Sequence, residues 1–152
     1  MVTSNPPIYF HYLTPPFFFP DRTAIKLFLA SIFKKHQKKI ECVNYIFCLD
    51  KYLLTLNNKY LNHNTYTDII TFDLSKGKQI VADVYISVDR ARENGNSFRV
   101  SFNNEILRLL IHGALHLCGF ADKTVIEKQR MTRLENQYLK QYVSRETGLI
   151  TH

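Results

Sequence analysis

The segment ILRLLIHGALHL, from Ile106 to Leu117, is almost entirely apolar and predicts a helix buried at the centre of the fold. Polar residues nevertheless follow one stripe of this helix at intervals of three and four: Glu105, Arg108, His112 and His116. Unpaired charge is costly inside a protein, so such a stripe faces a cleft or pairs internally. Glu105 and Arg108 could form an intrahelical ion pair, and the sequence leaves their part in function open.

The two histidines of this stripe indicate a metal site. Residues four apart on a helix share a face, so His112 and His116 present two imidazoles to one point. Gly119 lets the chain leave the helix through a left-handed turn, after which Asp122 can fold back toward the imidazoles. Two histidines and a carboxylate, with a fourth position open, are the ligand set of a catalytic zinc-type ion. The sequence therefore predicts His112, His116 and Asp122 as metal ligands, with zinc as the favoured ion.

The same spacing occurs in the long zinc-protease motif, which has histidines at positions one and five, a glycine at eight and a third ligand at eleven. A peptidase of that kind needs a glutamate directly after the first histidine, and this chain has Gly113 there.

Asp122 could instead cap the following helix. However, Thr124-Val-Ile-Glu127 forms a complete capping box, which leaves Asp122 free to bind an ion.

Composition sets the broad class of the protein. A chain of 152 residues is long enough for one domain with a substantial core, and we expect a single domain over residues 1–152. The net charge of +7 favours polyanionic partners, nucleic acid first. Three cysteines without a CxxC pair argue against a disulfide framework and favour a reducing compartment. We expect a cytoplasmic protein with no membrane contact, because no apolar run approaches the length of a bilayer span.

The remaining segments predict an α+β fold. Strands are expected over 8–12, 42–49, 67–73 and 79–87, and helices over 21–37, from residue 50, over 88–94, 102–117 and 125–143, with an Asn-rich loop at 57–64. The early strand–helix–strand unit predicts parallel pairing, and the turn at 75–78 predicts an antiparallel hairpin. We therefore expect a four-stranded mixed sheet packed with about five helices, with the metal-binding helix buried at the centre.

Several blocks of sequence, taken in order, carry a family resemblance. They are Leu56-Asn57-Asn-Lys-Tyr60, Thr67-Asp68-Ile-Ile-Thr-Phe72, Ala82-Asp83-Val84-Tyr-Ile86 and the segment from His112 to Asp122. Together they resemble the YbeY-type 16S rRNA maturation factors, which are metal-dependent endoribonucleases specific for single strands. The match is specific from about Leu56 to Lys123, whereas before that only the order and size of the elements agree.

The resemblance implies a zinc-type ion held by three ligands and a mixed sheet with helices. It also implies single-stranded RNA, the 16S rRNA precursor and the small ribosomal subunit as partners, with a role in 3′-end maturation and subunit quality control in the cytoplasm. By position His112 and His116 are the first two ligands, and Asp122 replaces the usual third histidine. A carboxylate is a harder ligand, which shifts metal preference away from zinc alone. Leu61 stands where many members have an arginine, and Ala82 replaces a glycine.

The resemblance also implies a chemistry. The ion would polarise the scissile phosphate and lower the pKa of water, and the attacking group could be water or the neighbouring 2′-hydroxyl. Asp68 and Asp83 are candidate bases only if the hairpin passes near the helix, and a strand-end hydrogen bond and a surface position explain them better than a role in proton transfer. Two alternatives are a non-catalytic ribosome-assembly factor with a structural metal, and a small metallopeptidase.

Overall fold

The computed structural model describes residues 5–17, 19–62 and 65–151, and of residues 146–151 the backbone alone. The elements in chain order are β1 (Ile8–Tyr12), α1 (Arg22–Lys35), β2 (Ile40–Cys48), α2 (Asp50–Leu61), β3 (Ile69–Asp73), β4 (Ile80–Ser87), α3 (Val88–Phe98), α4 (Phe102–Leu117) and α5 (Val125–Thr151). The predicted fold class is confirmed: the described residues form a four-stranded mixed sheet with five helices.

The sheet has the strand order β1-β2-β4-β3. β1 and β2 are parallel, as the strand–helix–strand unit predicts, and β2 also pairs in parallel with β4. β3 and β4 form the predicted antiparallel hairpin, in which Thr71 lies opposite Val84. The central strands β2 and β4 carry the deepest residues, Val43, Tyr45, Phe47, Ala82, Val84 and Ile86, all with no exposed surface.

α4 lies at the centre of the main core, as predicted. Its N-terminus is capped by Ser101, whose hydroxyl accepts a hydrogen bond from the backbone N–H of Asn104 at 3.0 Å. Tyr45 of β2 donates its hydroxyl to the carbonyl of Leu110 at 2.9 Å and ties the helix to the sheet. α1 and α5 pack around α4, because their apolar stripes join the same cluster of buried side chains.

Close approach of α4 to the hairpin requires a glycine. A Cβ atom on Gly113 would lie 2.9 Å from Cγ1 of Val84 and 3.4 Å from Cδ1 of Ile69. A methyl group in this space would force Val84 to shift, so packing against β3 and β4 favours glycine after the first site histidine.

α2 covers part of the opposite face of the sheet, and here one expectation is wrong. The predicted Asn-rich loop at 57–64 is helical through Leu61, while residues 63 and 64 lie outside the described part of the chain. Leu53 and Leu56 pack with Ile70 in a second, smaller core, and Asn57 is buried beside them. Packing outweighs the low helix propensity of asparagine.

Other boundaries also differ from the predictions. α3 continues four residues past the expected end, to Phe98, and α5 continues to Thr151. β2 begins at Ile40 and ends at Cys48, slightly earlier than predicted at both ends. Asp21 precedes α1 in a left-handed conformation and makes no side-chain capping bond.

The three cysteines are free, as expected. Within the described ranges no helix combines the length and apolarity that crossing a membrane requires.

Candidate metal centre

The three predicted ligands converge at the C-terminal end of α4. Oδ2 of Asp122 lies 3.3 Å from Nε2 of His112 and 3.4 Å from Nε2 of His116. One donor atom from each residue falls within 4.8 Å of the other two. The structure thus brings together two imidazoles from adjacent helical turns and one carboxylate from the following loop.

The turn after α4 directs Asp122 back toward the helix. Gly119 adopts a φ of 103°, which side chains rarely allow, and its N–H donates to the carbonyl of His116 at 2.9 Å. The N–H of Phe120 donates to the carbonyl of Leu115 at 3.0 Å and completes a Schellman-type ending. The chain therefore reverses within a few residues of the second histidine.

The next helix is capped without help from Asp122. Glu127 accepts from the N–H of Thr124 at 2.9 Å, and its own N–H donates to the Thr124 hydroxyl at 3.1 Å. This is the predicted capping box. Asp122 is consequently left to face the imidazoles.

The two separations between the Asp122 oxygen and the histidine nitrogens fit a tetrahedral ion. Metal–ligand bonds of about 2.0–2.2 Å place neighbouring donors of a tetrahedral site about 3.3–3.6 Å apart. The two separations from the Asp122 oxygen, 3.3 and 3.4 Å, agree with that spacing. Burial and the neighbouring His112 lower the pKa of His116 below its ordinary value of 6.5, although Asp122 opposes the shift. A neutral imidazole is the form that binds metals.

A groove of about 820 Å³ runs beside the three residues. The end of α2, the loop before β3, the strand β3 itself, α4 and the loop after α4 form its walls: Asn57, Leu61, Thr65, Tyr66, Thr67, Ile69, Ile70, Thr71, Asp73, His112, His116, Leu117, Asp122 and Lys123. His116 and Asp122 keep 28% and 36% of their side-chain surface, so the donors open toward this space and not into the core.

Known proteins are similar to this chain in sequence. The family model described as Endoribonuclease YbeY matches residues 21–143. A relative from Flavobacterium psychrophilum, named Endoribonuclease YbeY, is 43% identical over 120 residues, which cover 79% of this chain and 86% of the relative. A relative of the same name from Flavobacterium johnsoniae is 38% identical over 135 residues, covering 89% and 96%. The chain belongs to the YbeY family.

The family resemblance inferred from the motifs is thereby confirmed. A solution structure of TM1509 from Thermotoga maritima is also similar, with a TM-score of 0.61 over 93% of this chain and 92% of that protein. Its sequence identity of 22% supports the fold alone. The mixed sheet and helices expected for a YbeY family member are therefore present.

The peptidase interpretation conflicts with the packing of α4. A metallopeptidase base would have to occupy position 113, where even a Cβ would meet Val84 at 2.9 Å. A glutamate there would require Val84 or the packing of α4 on the hairpin to shift. In this YbeY family member the site retains a zinc-protease ligand spacing and excludes the peptidase base.

The two candidate bases lie in different places. The carboxylate of Asp68 accepts from the side-chain amide of Asn94 at 3.0 Å and lies 3.7 Å from Arg108. Asp83 accepts from Asn44 at 3.1 Å. Since its neighbour Val84 faces α4, strand alternation directs Asp83 to the opposite face of the sheet, away from the three ligands. Asp83 is thus not positioned as a base for this site.

A buried network of charges stands behind the site. The predicted Glu105–Arg108 ion pair is present, with Nε of Arg108 donating to Oε1 of Glu105 at 2.8 Å. Nη1 of Arg108 also donates at 2.9 Å to Glu135 of α5, whose other oxygen contacts Nδ1 of His112. Burial alone lowers the pKa of Arg108, but the hydrogen bonds and charges of the two glutamates outweigh it and raise that pKa.

Glu135 is the site residue that the sequence analysis missed. It is only 3% exposed, yet it lies on α5 in line with Met131, Tyr138 and Tyr142, which are buried as well. A glutamate that falls in the apolar stripe of a helix is the signal that could have identified it, because a buried carboxylate needs a partner.

Proposed function

We propose that this YbeY family member is a metal-dependent endoribonuclease that cuts single-stranded RNA, with one divalent ion held by His112, His116 and Asp122. The observation that carries the proposal is the convergence of these donors, 3.3 and 3.4 Å from the shared carboxylate oxygen, at the edge of a groove. Relatives named Endoribonuclease YbeY supply the reaction class. We take zinc as the favoured ion because the donor set is two imidazoles and one carboxylate.

Each part of the site has a defined task in this proposal. The bound ion supplies Lewis-acid chemistry, polarising the scissile phosphate and lowering the pKa of water. The two histidines and Asp122 would hold it at the edge of the groove. Lys123 at the groove edge and the net charge of +7 favour binding of the phosphate backbone.

The finer biological role rests on family membership. We propose that the substrate is the 16S rRNA precursor, cut during 3′-end maturation, and that the protein acts on the small ribosomal subunit in the cytoplasm. We also propose that residues 1–152 work as one domain. A groove formed by a helix end and a loop suits a flexible single strand. An A-form duplex is wide, and proteins recognise it mostly by its shape across the minor groove.

Loss of a ligand tests the proposal against the non-catalytic alternative. Purified wild type and His116→Ala are incubated with a labelled single-stranded RNA and with the matching duplex. We expect the wild type to cut the single strand and His116→Ala to lose about 100-fold or more of that activity, as expected when an essential electrostatic group is removed. Circular dichroism checks that the variant folds.

His11→Ala is the matched control. His11 is an exposed histidine on β1 that contacts Asn44 and has no place in the groove. It should cut RNA like the wild type. If folded His116→Ala still cuts RNA at the wild-type rate, the three residues are not the catalytic centre and the proposal is wrong. If the wild type cuts no RNA, the non-catalytic alternative gains support.

A further inference from the structure

We propose that Glu135 of α5 is the positioning residue of the metal centre: its buried carboxylate holds the Nδ1–H of His112 and thereby presents Nε2 as the ligand atom. This inference rests on the proposed metal-dependent function and deepens it. It assigns part of the site to a helix that begins after the three ligands and contributes no ligand of its own.

The geometry of His112 carries the assignment. Its Nδ1 contacts Oε2 of Glu135 on one side, and its Nε2 lies 3.3 Å from Oδ2 of Asp122 on the other. A neutral imidazole has one N–H, and a carboxylate can only accept that hydrogen. Glu135 therefore places the proton on Nδ1, and the lone pair of Nε2 points to the side where Asp122 lies. Carboxylate partners commonly orient metal-binding histidines in this way.

Glu135 is itself held in place by α4. Oε1 accepts from Nη1 of Arg108 at 2.9 Å, so each oxygen of the buried carboxylate has its own donor. The guanidinium is fixed in turn by Glu105, which accepts from its Nε at 2.8 Å and is 1% exposed. Because both carboxylate oxygens of Glu135 are held, its rotamer is fixed. The ring of His112 therefore has a fixed orientation.

The charge balance of the network favours a cation at the site. The buried carboxylates of Glu105 and Glu135 face a single guanidinium, and the carboxylate of Asp68 lies 3.7 Å from it. Negative charge is therefore in excess directly behind His112. Such an excess makes Nε2, on the other side of the His112 ring, a better electron-pair donor to a divalent ion.

An amide at position 135 cannot replace the carboxylate. The side chain of Glu135→Gln has one acceptor oxygen, whereas His112 and Arg108 each present a hydrogen to be accepted. If the oxygen turns to Arg108, the amide hydrogens face Nδ1 and force the proton onto Nε2. The ligand atom is then blocked, although the shape of the side chain is almost unchanged.

The first experiment needs no variant. Long-range proton–nitrogen NMR correlations of the full chain, in mildly alkaline buffer where imidazoles are neutral, report which ring nitrogen of His112 carries the hydrogen. We expect the Nδ1–H form, both without metal and after zinc is added. The Nε2–H form in metal-free protein, or in protein that has bound zinc, would overturn the proposal whatever the activity turns out to be.

The second experiment compares two isosteric variants. Glu105→Gln removes the same charge from the same guanidinium but does not touch His112. Affinity for zinc is measured by competition with a chromophoric chelator, and for cobalt by the visible spectrum of the bound ion. We expect Glu135→Gln to lose about 10- to 100-fold in affinity, the usual effect of losing such a partner, and Glu105→Gln to lose much less.

The outcomes separate this proposal from the proposed function. Equal losses in the two folded variants would mean that only network charge or stability matters, and positioning by Glu135 would be rejected. If the wild type shows the Nδ1–H form but cuts no RNA, the nuclease proposal fails and the positioning role stands. Excess metal should restore part of the RNA cleavage by Glu135→Gln and none of that by His116→Ala. If Glu135→Gln does not fold, the NMR result on the wild type decides.

Discussion

At the scale of single residues, the site depends on Gly113, because this residue has no side chain. Gly113 lets α4 approach the hairpin so closely that a Cβ would lie 2.9 Å from Cγ1 of Val84. The motif alone identified this position as a missing peptidase base, and the structure adds the packing reason. Position 113 thus links the fold of the hairpin to the chemistry of the adjacent histidine.

Gly113→Ala should destabilise the protein despite the better helix propensity of alanine. Alanine gains about 1 kcal/mol in a helix interior, while overpacking a core costs about 1–3 kcal/mol. We expect a net loss of about 1 kcal/mol in the free energy of unfolding, measured by urea denaturation. Val84→Ala should cost less in the Gly113→Ala background than in the wild type, because it makes room for the new methyl group. Strict additivity of the two changes would contradict this packing argument.

Leu61 stands where the family resemblance implies an arginine. It is 44% exposed at the end of α2 and lines the groove. Leu61→Arg should bind single-stranded RNA roughly two- to fivefold more tightly, and the dependence of affinity on salt should steepen by about 0.7 in the log–log slope. Fluorescence anisotropy across a salt series measures both quantities.

Val125→Arg adds the same charge outside the groove, at a position 71% exposed. It should change RNA affinity less than Leu61→Arg does. Equal effects of the two substitutions would show that net charge alone governs binding and that the groove is not the RNA path.

At the scale of elements, predictions succeeded where packing and propensity agree. The bounds of α4 were predicted correctly because an N-cap serine, an apolar run and a terminal glycine all mark the same helix. For α2 the local pattern is misleading, because Asn57 and Asn58 favour a loop. Asn57 is instead 4% exposed and donates to the carbonyl of Thr65 at 2.8 Å, which ties the helix to the groove wall.

Asn57→Ala should therefore lower the free energy of unfolding by about 1–3 kcal/mol, because it removes a buried side chain and its hydrogen bond. Amide hydrogen exchange should accelerate around residues 65–67, since that loop loses its tie to α2. Asn58→Ala, the same substitution at the exposed next position, should change stability by less than about 0.5 kcal/mol. A smaller effect at 57 than at 58 would refute this role of the buried amide.

The capping box of α5 predicts a dependence of stability on pH. Hydrogen bonds from the backbone of Thr124 and Lys123 lower the pKa of the exposed Glu127 below its ordinary value of 4.5. A carboxyl with a depressed pKa in the folded state stabilises it above the unfolded pKa, and that contribution is lost as pH falls through the folded value. Glu127→Gln should thus be less stable than wild type at neutral pH, and the difference should shrink in progressively acid urea titrations. If the difference in the free energy of unfolding did not change with pH, the charge of Glu127 would not be what stabilises the helix cap.

At the scale of the whole molecule, the sequence indicated the composition of the sheet but not its order. Local patterns predict four strands and a hairpin, yet β4 pairs with β2 across more than thirty intervening residues. Its place depends on tertiary packing between the central strands and α4. The same limit explains Glu135: its partners His112 and Arg108 lie 23 and 27 residues away, so no local spacing joins them.

The metal centre illustrates how these scales combine. His112 and His116 could be predicted from helical spacing alone, and Asp122 from the turn that follows Gly119. The contact of His112 with α5 and the groove formed with α2 and β3 exist only in the assembled fold. The local donors were therefore predictable from sequence, whereas their orientation and the shape of the groove were not.

Metal content per chain is the most direct test of the central claim. The full chain and His116→Ala are dialysed against metal-free buffer, and inductively coupled plasma mass spectrometry then counts bound ions. The account predicts about one divalent transition-metal ion per wild-type chain and a large loss in folded His116→Ala, since removing a ligand leaves too few donors for a stable site. A wild type without a stoichiometric ion, or an equal ion content in both proteins, would contradict it.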